Sequence, residues 1–186
     1  MNPGPSDPRL VTDDPPRLSL LQQREIEARI VGPLVQAVIA ELGREKALAL
    51  VRGVIADLAR QGGADLARAL GDASLPGFAA CLDRWTEGGA LEIEVLQRSP
   101  ERLDFNVTRC RYAEMYRALG LADLGSTLSC VRDFALAEGY SPDITLTRTQ
   151  TIIDGAESCD FRFRSRRSIA EDPGQVDPHA GGIGGT

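Results

Sequence analysis

The chain has 186 residues, 42% hydrophobic and 26% charged, with a net charge of −6. That length predicts one domain with a sizeable core, and the acidic balance argues against a general nucleic-acid binder. The apolar runs are too short to span a bilayer and the N-terminus lacks a signal-peptide core, so the sequence predicts a cytoplasmic protein with reduced cysteines.

Residues 1–16 hold five prolines and no periodicity, and are expected to form a disordered arm before a single domain over 17–165. Leu18, Leu21, Ile26, Ile30, Leu34, Val38 and Leu42 mark the apolar stripe of a first helix, with a kink or break expected at Pro33 and an end at Gly43. Ala47, Leu48, Val51, Val54, Ile55 and Leu58 predict a second helix over 44–60, stopped by Gln61-Gly62-Gly63. A third helical stretch, 64–85, is interrupted from Gly71 to Gly77. Cys81 lies there at helical spacing with Phe78, Leu82 and Trp85, the position of a small core residue.

The period then changes to two. Leu91, Ile93 and Val95 alternate with polar residues, as do Leu103, Phe105 and Val107, predicting a hairpin joined by residues 97–102. A helix over 109–119 comes next, with Thr108 as its cap and Gly120 at its end. Tyr112, Tyr116 and Leu119 form its inner stripe. Another helix, 123–138, ends at Gly139. Alternation from Asp143 to Ile153, an Asp154-Gly155 turn and a strand from Cys159 predict a second hairpin, with Cys159, Phe161 and Phe163 on one face. Residues 166–186 are polar and rich in Gly and Pro, and are expected to be a disordered tail. The fold class is α+β: helices on one face of a small antiparallel sheet of about four strands. Both hairpins belong to that sheet, with helices 109–119 and 123–138 on its apolar face.

Histidine chemistry is removed early. His179 is the only histidine and lies in the tail, which argues against a Ser-His or Cys-His device and against a His-ligated zinc. No glycine loop cradles a phosphate; Gly182-Ile183-Gly184-Gly185 precedes no helix. Cysteine, carboxylate and arginine remain. Cys130 and Asp133 are one helical turn apart and face one space. Cys159 opens a strand after a tight turn. Cys110 is placed in a first helical turn, where the dipole favours a thiolate. These groups could act as nucleophile and acid/base, hold a soft metal, or simply pack, since cysteine is often buried. Their spacing matches no familiar zinc pattern, and no metal ligand is assigned. Arg148 shares the apolar side of its strand with Leu146. An inward arginine calls for an anion, either an internal aspartate or a ligand.

Val107-Thr108-Arg109-Cys110, Cys130-Val131-Arg132-Asp133, Leu146-Thr147-Arg148-Thr149 and the run from Gly155 to Cys159-Asp160-Phe161 together resemble the L-2-amino-thiazoline-4-carboxylic acid hydrolase family. More remotely, the paired helices and the closing Cys-x-Phe are similar to vinyl-reductase-like ligand-binding domains. The family resemblance implies hydrolysis of a cyclic amidine-type C–N bond in a small carboxylated heterocycle, the named reaction giving a carbamoyl-cysteine. For such a reaction the candidate catalytic residues are Cys130, Asp133 and Cys159, with a thiolate of Cys130 or Cys159 or a water activated by Asp133 attacking the amidine carbon, and the candidate substrate-binding residues are Cys110, Arg109, Arg148 and Thr149. The expected partner is a small anionic heterocycle, with neither nucleic acid nor membrane; the cofactor and the oligomeric state stay unknown. Two other readings remain: a binding pocket without chemistry, and a cysteine-rich metal site.

Overall fold

In the computed structural model, residues 17–166 are described; the expected arm (1–16) and all but the first residue of the expected tail (166–186) lie outside them. Helix α1, Leu20–Leu42, starts at a capping box. Ser19 Oγ accepts from the Gln22 amide at 3.2 Å, and Gln22 Oε1 accepts from the Ser19 amide at 2.9 Å. The helix continues across Pro33, where no break occurs. Pro33 is exposed, so water can satisfy the backbone carbonyl that loses its partner. Gly43, at φ +79°, is the only residue between α1 and α2, a conformation suited to glycine.

Helix α2, Arg44–Leu70, runs straight through Gly62-Gly63, against the expected stop at 61–63. The reason is tertiary. Gly63 faces helix α7, Val131–Tyr140, so closely that a Cβ would sit 2.2 Å from the Leu136 carbonyl oxygen. Gly139, expected as a terminator, lies inside α7 and meets α2 the same way: a Cβ there would be 1.9 Å from the Arg60 carbonyl oxygen. Glycine here allows two backbones to touch. Two short helices, α3 (Leu75–Ala79) and α4 (Leu82–Thr86), come after the left-handed Gly71.

Strands β1 (Leu91–Arg98) and β2 (Arg102–Cys110) form the first hairpin; β3 (Ile144–Thr147) and β4 (Cys159–Ser165) complete the sheet. The order is β1-β2-β4-β3, antiparallel throughout, so both hairpins share one sheet as the alternation predicts. Strand β2 runs to Cys110, two residues into the expected helix, and Cys110 rather than Thr108 caps α5 (Arg111–Ala118). Strand β3 stops at Thr147 instead of Ile153, because Asp160 Oδ1 takes the amides of Thr149 and Gln150 at 2.9 Å and draws that segment off the ladder.

Two cores result. The first places Phe78, Leu75 and Leu82 against Leu103, Phe105, Phe161 and Phe163 of the sheet, with Ala137 and Tyr140 of α7 beside them. Phe105 and Phe161, paired across β2 and β4, stack at 4.9 Å between centroids and 9° between planes. The second core joins Ala28 and Val35 of α1, Ile55 of α2 and Tyr116 of α5 to Leu121, Leu124 and Leu128. Helix α5 therefore packs in the helical layer and does not cover the sheet as expected; α3, α4 and α7 do.

The face of α1 also differs from expectation. Ile26, Ile30, Leu34 and Leu42 are exposed, while Ala28, Gly32 and Val35 are buried. Gly32 explains the choice: a Cβ there would lie 2.6 Å from Leu121 Cδ1, so the small face is the one that can approach. Among the described residues no helix is long and apolar enough to cross a membrane.

Candidate functional site

A cavity of about 200 Å³ lies between the helical layer and the sheet. Leu20 and Arg24 come from α1, Leu58, Ala59 and Gly62 from α2, Trp85 from α4, and Leu91, Phe105, Val107 and Phe161 from the sheet. Cys130, Arg132, Asp133 and Leu136 enter from α7 and the turn before it, with Cys110, Cys159 and Arg148 across from them. Five residues singled out in the sequence thus line one pocket: Cys110, Cys130, Asp133, Arg148 and Cys159.

The local structure explains how. Helix α6 (Ala122–Gly125) runs into a π turn, Ser126–Cys130, and then into α7. A π turn widens the helix by one residue and rotates the helical turns after it. The Leu128 and Cys130 carbonyls also accept from guanidinium groups: Arg132 Nε at 2.8 Å and Arg148 Nη2 at 3.0 Å. Arg148 is almost fully enclosed, with 6% of its side chain exposed. It donates to Asp133 and lies between two rings, 4.9 Å from the Phe134 centroid and 5.1 Å from that of Phe161. Of the two partners foreseen for an inward arginine, the internal aspartate is present.

Burial raises the Asp133 carboxyl above the ordinary aspartate range, and the charge and hydrogen bond of Arg148, with the Arg132 charge behind them, only partly offset it. Burial also raises every pocket thiol. Cys110 stands at about 11, although its Sγ accepts from the Ala113 amide at 3.4 Å. Cys130 is pushed up further by burial and then by the Asp133 charge. Cys159 is raised by burial despite the Ile152 amide, which donates to its Sγ at 3.2 Å. The thiolate expected at Cys110 does not form at neutral pH: desolvation outweighs the helix-end amide. Among the described residues no group of three or more His, Cys, Asp or Glu could hold a metal ion, so the metal reading gains no support.

Two residues expected at the substrate lie elsewhere. Arg109 is half exposed and pairs with Glu92 at 3.2 Å and Glu114 at 2.8 Å. Strand β2 continues to Cys110, but a bulge between Val107 and Arg109 interrupts the alternation of Leu103, Phe105 and Val107, so Arg109 turns outward and Cys110 inward. Thr149 is exposed and donates from Oγ1 to Asp160 Oδ2 at 2.8 Å; it lines a shallow neighbouring depression, not the main pocket.

The pocket residues with no place in the sequence reading of the site include Arg24, Tyr112 and Arg132. Arg132 sits within the Cys130–Asp133 motif, which is the one signal that could have found it. Tyr112 reads only as an inward helical residue, and Arg24 as one charge among several on a long helix.

The family model described as L-2-amino-thiazoline-4-carboxylic acid hydrolase matches residues 23–163. Among solved structures, the phenol-responsive sensory domain of the transcription activator PoxR, crystallised with phenol, is similar at a TM-score of 0.48 and 18% identity, over 76% of this chain and 75% of its own. No curated protein matches the chain.

Proposed function

Because this chain belongs to the L-2-amino-thiazoline-4-carboxylic acid hydrolase family, we propose that it is a hydrolase opening a C–N bond of a small carboxylated cyclic amidine in the central pocket. The observation that carries this reading is Asp133. It is a carboxyl group raised by burial, held by Arg148 and lining a cavity sized for a small ring. A carboxylate with a raised pKa is a stronger base than a free aspartate, which suits it to proton transfer.

The protonated thiols favour water as nucleophile over a cysteine. Water adds to the amidine carbon, forming a C–O bond, and its proton passes to Asp133. The tetrahedral intermediate then collapses: its hydroxyl becomes the carbonyl, and the ring nitrogen leaves as an amine, taking up the proton held by Asp133 and the hydroxyl proton as the C–N bond breaks. Arg148 holds Asp133 in place. Cys110, Cys130 and Cys159 line the pocket as neutral, polarisable groups that shape it.

The test is incubation of the full chain with 2-aminothiazoline-4-carboxylate, with the product read by NMR and by thiol assay. Opening at nitrogen leaves a thiocarbamate and an amine. Release of a thiol would place the cleavage at sulfur and overturn the bond assignment. Absence of turnover on this compound and on a panel of cyclic amidines and ureides would favour the second reading, a pocket that binds without reacting. One observation favours that reading: the Asp133 carboxylate is already engaged by Arg148.

A further inference from the structure

The pocket has a second group of polar side chains beside the Asp133–Arg148 pair. Arg24 of α1 and Arg132 of α7 both line the cavity, with 21% and 18% of their side chains exposed. Among the described residues their guanidinium groups share one carboxylate, Glu27, which Arg24 pairs with directly and Arg132 reaches at 3.2 Å. Two partly buried cations on one half-exposed anion leave a net positive charge at the wall of a mostly apolar cavity. Arg132 registers the imbalance: burial first, and then the Arg24 charge, lower its pKa. A desolvated guanidinium of this kind gains most from an added carboxylate, which it can grip with two parallel N–H bonds.

An independent observation points the same way. Tyr112 also lines the cavity, with 9% of its surface exposed, and its hydroxyl has no hydrogen-bond partner among the described residues. A buried hydroxyl without a partner costs free energy unless a ligand completes it. Burial pushes Tyr112 up to about 12, and the opposing charge is that of Arg24, so the hydroxyl and this arginine act on the same space. At neutral pH the phenol is a proton donor. Two guanidinium groups that share one carboxylate, and a hydroxyl without an acceptor among the described residues, thus surround this end of the pocket.

We propose that Arg24, Arg132 and the Tyr112 hydroxyl form the subsite that binds a carboxylate of the pocket's ligand. Asp133 then faces the rest of the ring. This deepens the hydrolase reading and rests on it only for the location of the pocket. It also replaces Arg109, which points away, as the anchor for an anionic substrate.

The test is calorimetric titration of the full chain at pH 7 with 2-aminothiazoline-4-carboxylate and with benzoate, each beside its own carboxamide. The carboxylates are expected to bind about tenfold or more tightly than the carboxamides, as a charge-assisted hydrogen bond supplies. Tyr112→Phe and Arg24→Gln should each cut that preference severalfold. Tyr112→Phe removes a hydroxyl that has no protein partner, so it should melt no lower than the parent. A preference that survives both substitutions overturns the proposal, and so does the absence of carboxylate binding at millimolar concentration. The two readings fail separately. Carboxylate binding that needs Tyr112, without turnover, leaves the subsite and removes the hydrolase. Turnover by Tyr112→Phe with an unchanged KM leaves the hydrolase and removes the subsite.

Discussion

Asp133 and Arg148 are held in the pocket wall by opposed forces. Desolvation favours the neutral acid and the guanidinium favours the carboxylate, and desolvation wins on balance. Asp133→Asn should therefore do two things. It should lower turnover by about a hundredfold or more, as loss of a positioned acid/base group does. It should also lower stability, by up to about 3 kcal/mol, because the enclosed Arg148 loses its counter-charge while keeping an amide oxygen as acceptor. Steady-state kinetics beside thermal melts by circular dichroism separate the two effects; parental kinetics in this variant would remove Asp133 from the chemistry. A base with a raised pKa also sets a pH profile. Activity should fall as pH drops through that pKa, with a midpoint above the ordinary aspartate value of about 4. The cysteines behave oppositely to an activated nucleophile. Iodoacetamide at pH 7.5 should label native Cys110, Cys130 and Cys159 far more slowly than the unfolded chain, since only thiolates react and all three are held as thiols. Rapid labelling of one of them, read by peptide mass spectrometry, would restore it as a nucleophile. At this scale the sequence was informative where local geometry decides. Helical spacing placed Cys130 beside Asp133, and strand alternation placed Arg148 inward. It misled at Arg109, where the strand runs three residues past its pattern and a bulge after Val107 reverses the side-chain direction. It was silent on Arg24 and Tyr112, whose meaning depends on how α1 docks.

Among the elements, the α2–α7 crossing fixes the site, because α7 carries Arg132 and Asp133, with Cys130 at its N-terminal boundary, and is seated by its contact with α2. That contact depends on Gly63 and Gly139, each of which meets a backbone carbonyl of the other helix. Backbone cannot yield as a side chain can. Gly63→Ala and Gly139→Ala should each destabilise the fold by about 1–3 kcal/mol, the usual range for overpacking. Gly53 is the control: it lies mid-helix in α2, exposed, with nothing within 4 Å of an added Cβ. Gly53→Ala should stabilise by about 1 kcal/mol through helix propensity alone. Urea unfolding midpoints for the three variants check the argument; equal gains in all three would show that the helices do not cross this closely. The same pair explains the misreading of helix ends from the sequence. A glycine reads as a terminator when only propensity is weighed, whereas here two glycines seat one helix on another. The exposed Ile26, Ile30 and Leu34 carry a related lesson, since periodicity weights large residues and α1 buries its small ones.

At the scale of the whole molecule, the sheet core and the helical core meet around a cavity walled by groups that resist ionisation. Both hairpins, their common sheet and the α+β class followed from alternation alone. The convergence of four separate motifs on one cavity did not follow from spacing, because it requires the strand order β1-β2-β4-β3 to bring the end of β2, with Cys110, and the start of β4, with Cys159, to the same cavity as α7. This concentration of buried acids has a consequence for folding. Cys110, Cys130, Cys159, Tyr112 and Tyr116 all have folded-state pKa values above those of the unfolded chain, chiefly through burial. A group with a raised pKa binds its proton more tightly when folded, so unfolding releases protons and stability declines as pH rises. The contribution is complete below the unfolded thiol value, about 8.5, and is lost as pH climbs through about 11 for Cys110 and about 12 for the tyrosines. The urea midpoint should therefore hold between pH 7 and 8 and fall steadily from pH 9 to 11. Cys130→Ser removes one of these acids. Its midpoint at pH 7 should shift by the packing cost of the exchange, while its decline between pH 9 and 11 should be shallower than that of the parent. A parallel decline in the two proteins would mean that Cys130 titrates equally in the folded and unfolded chain, and so that it faces water and not the pocket wall.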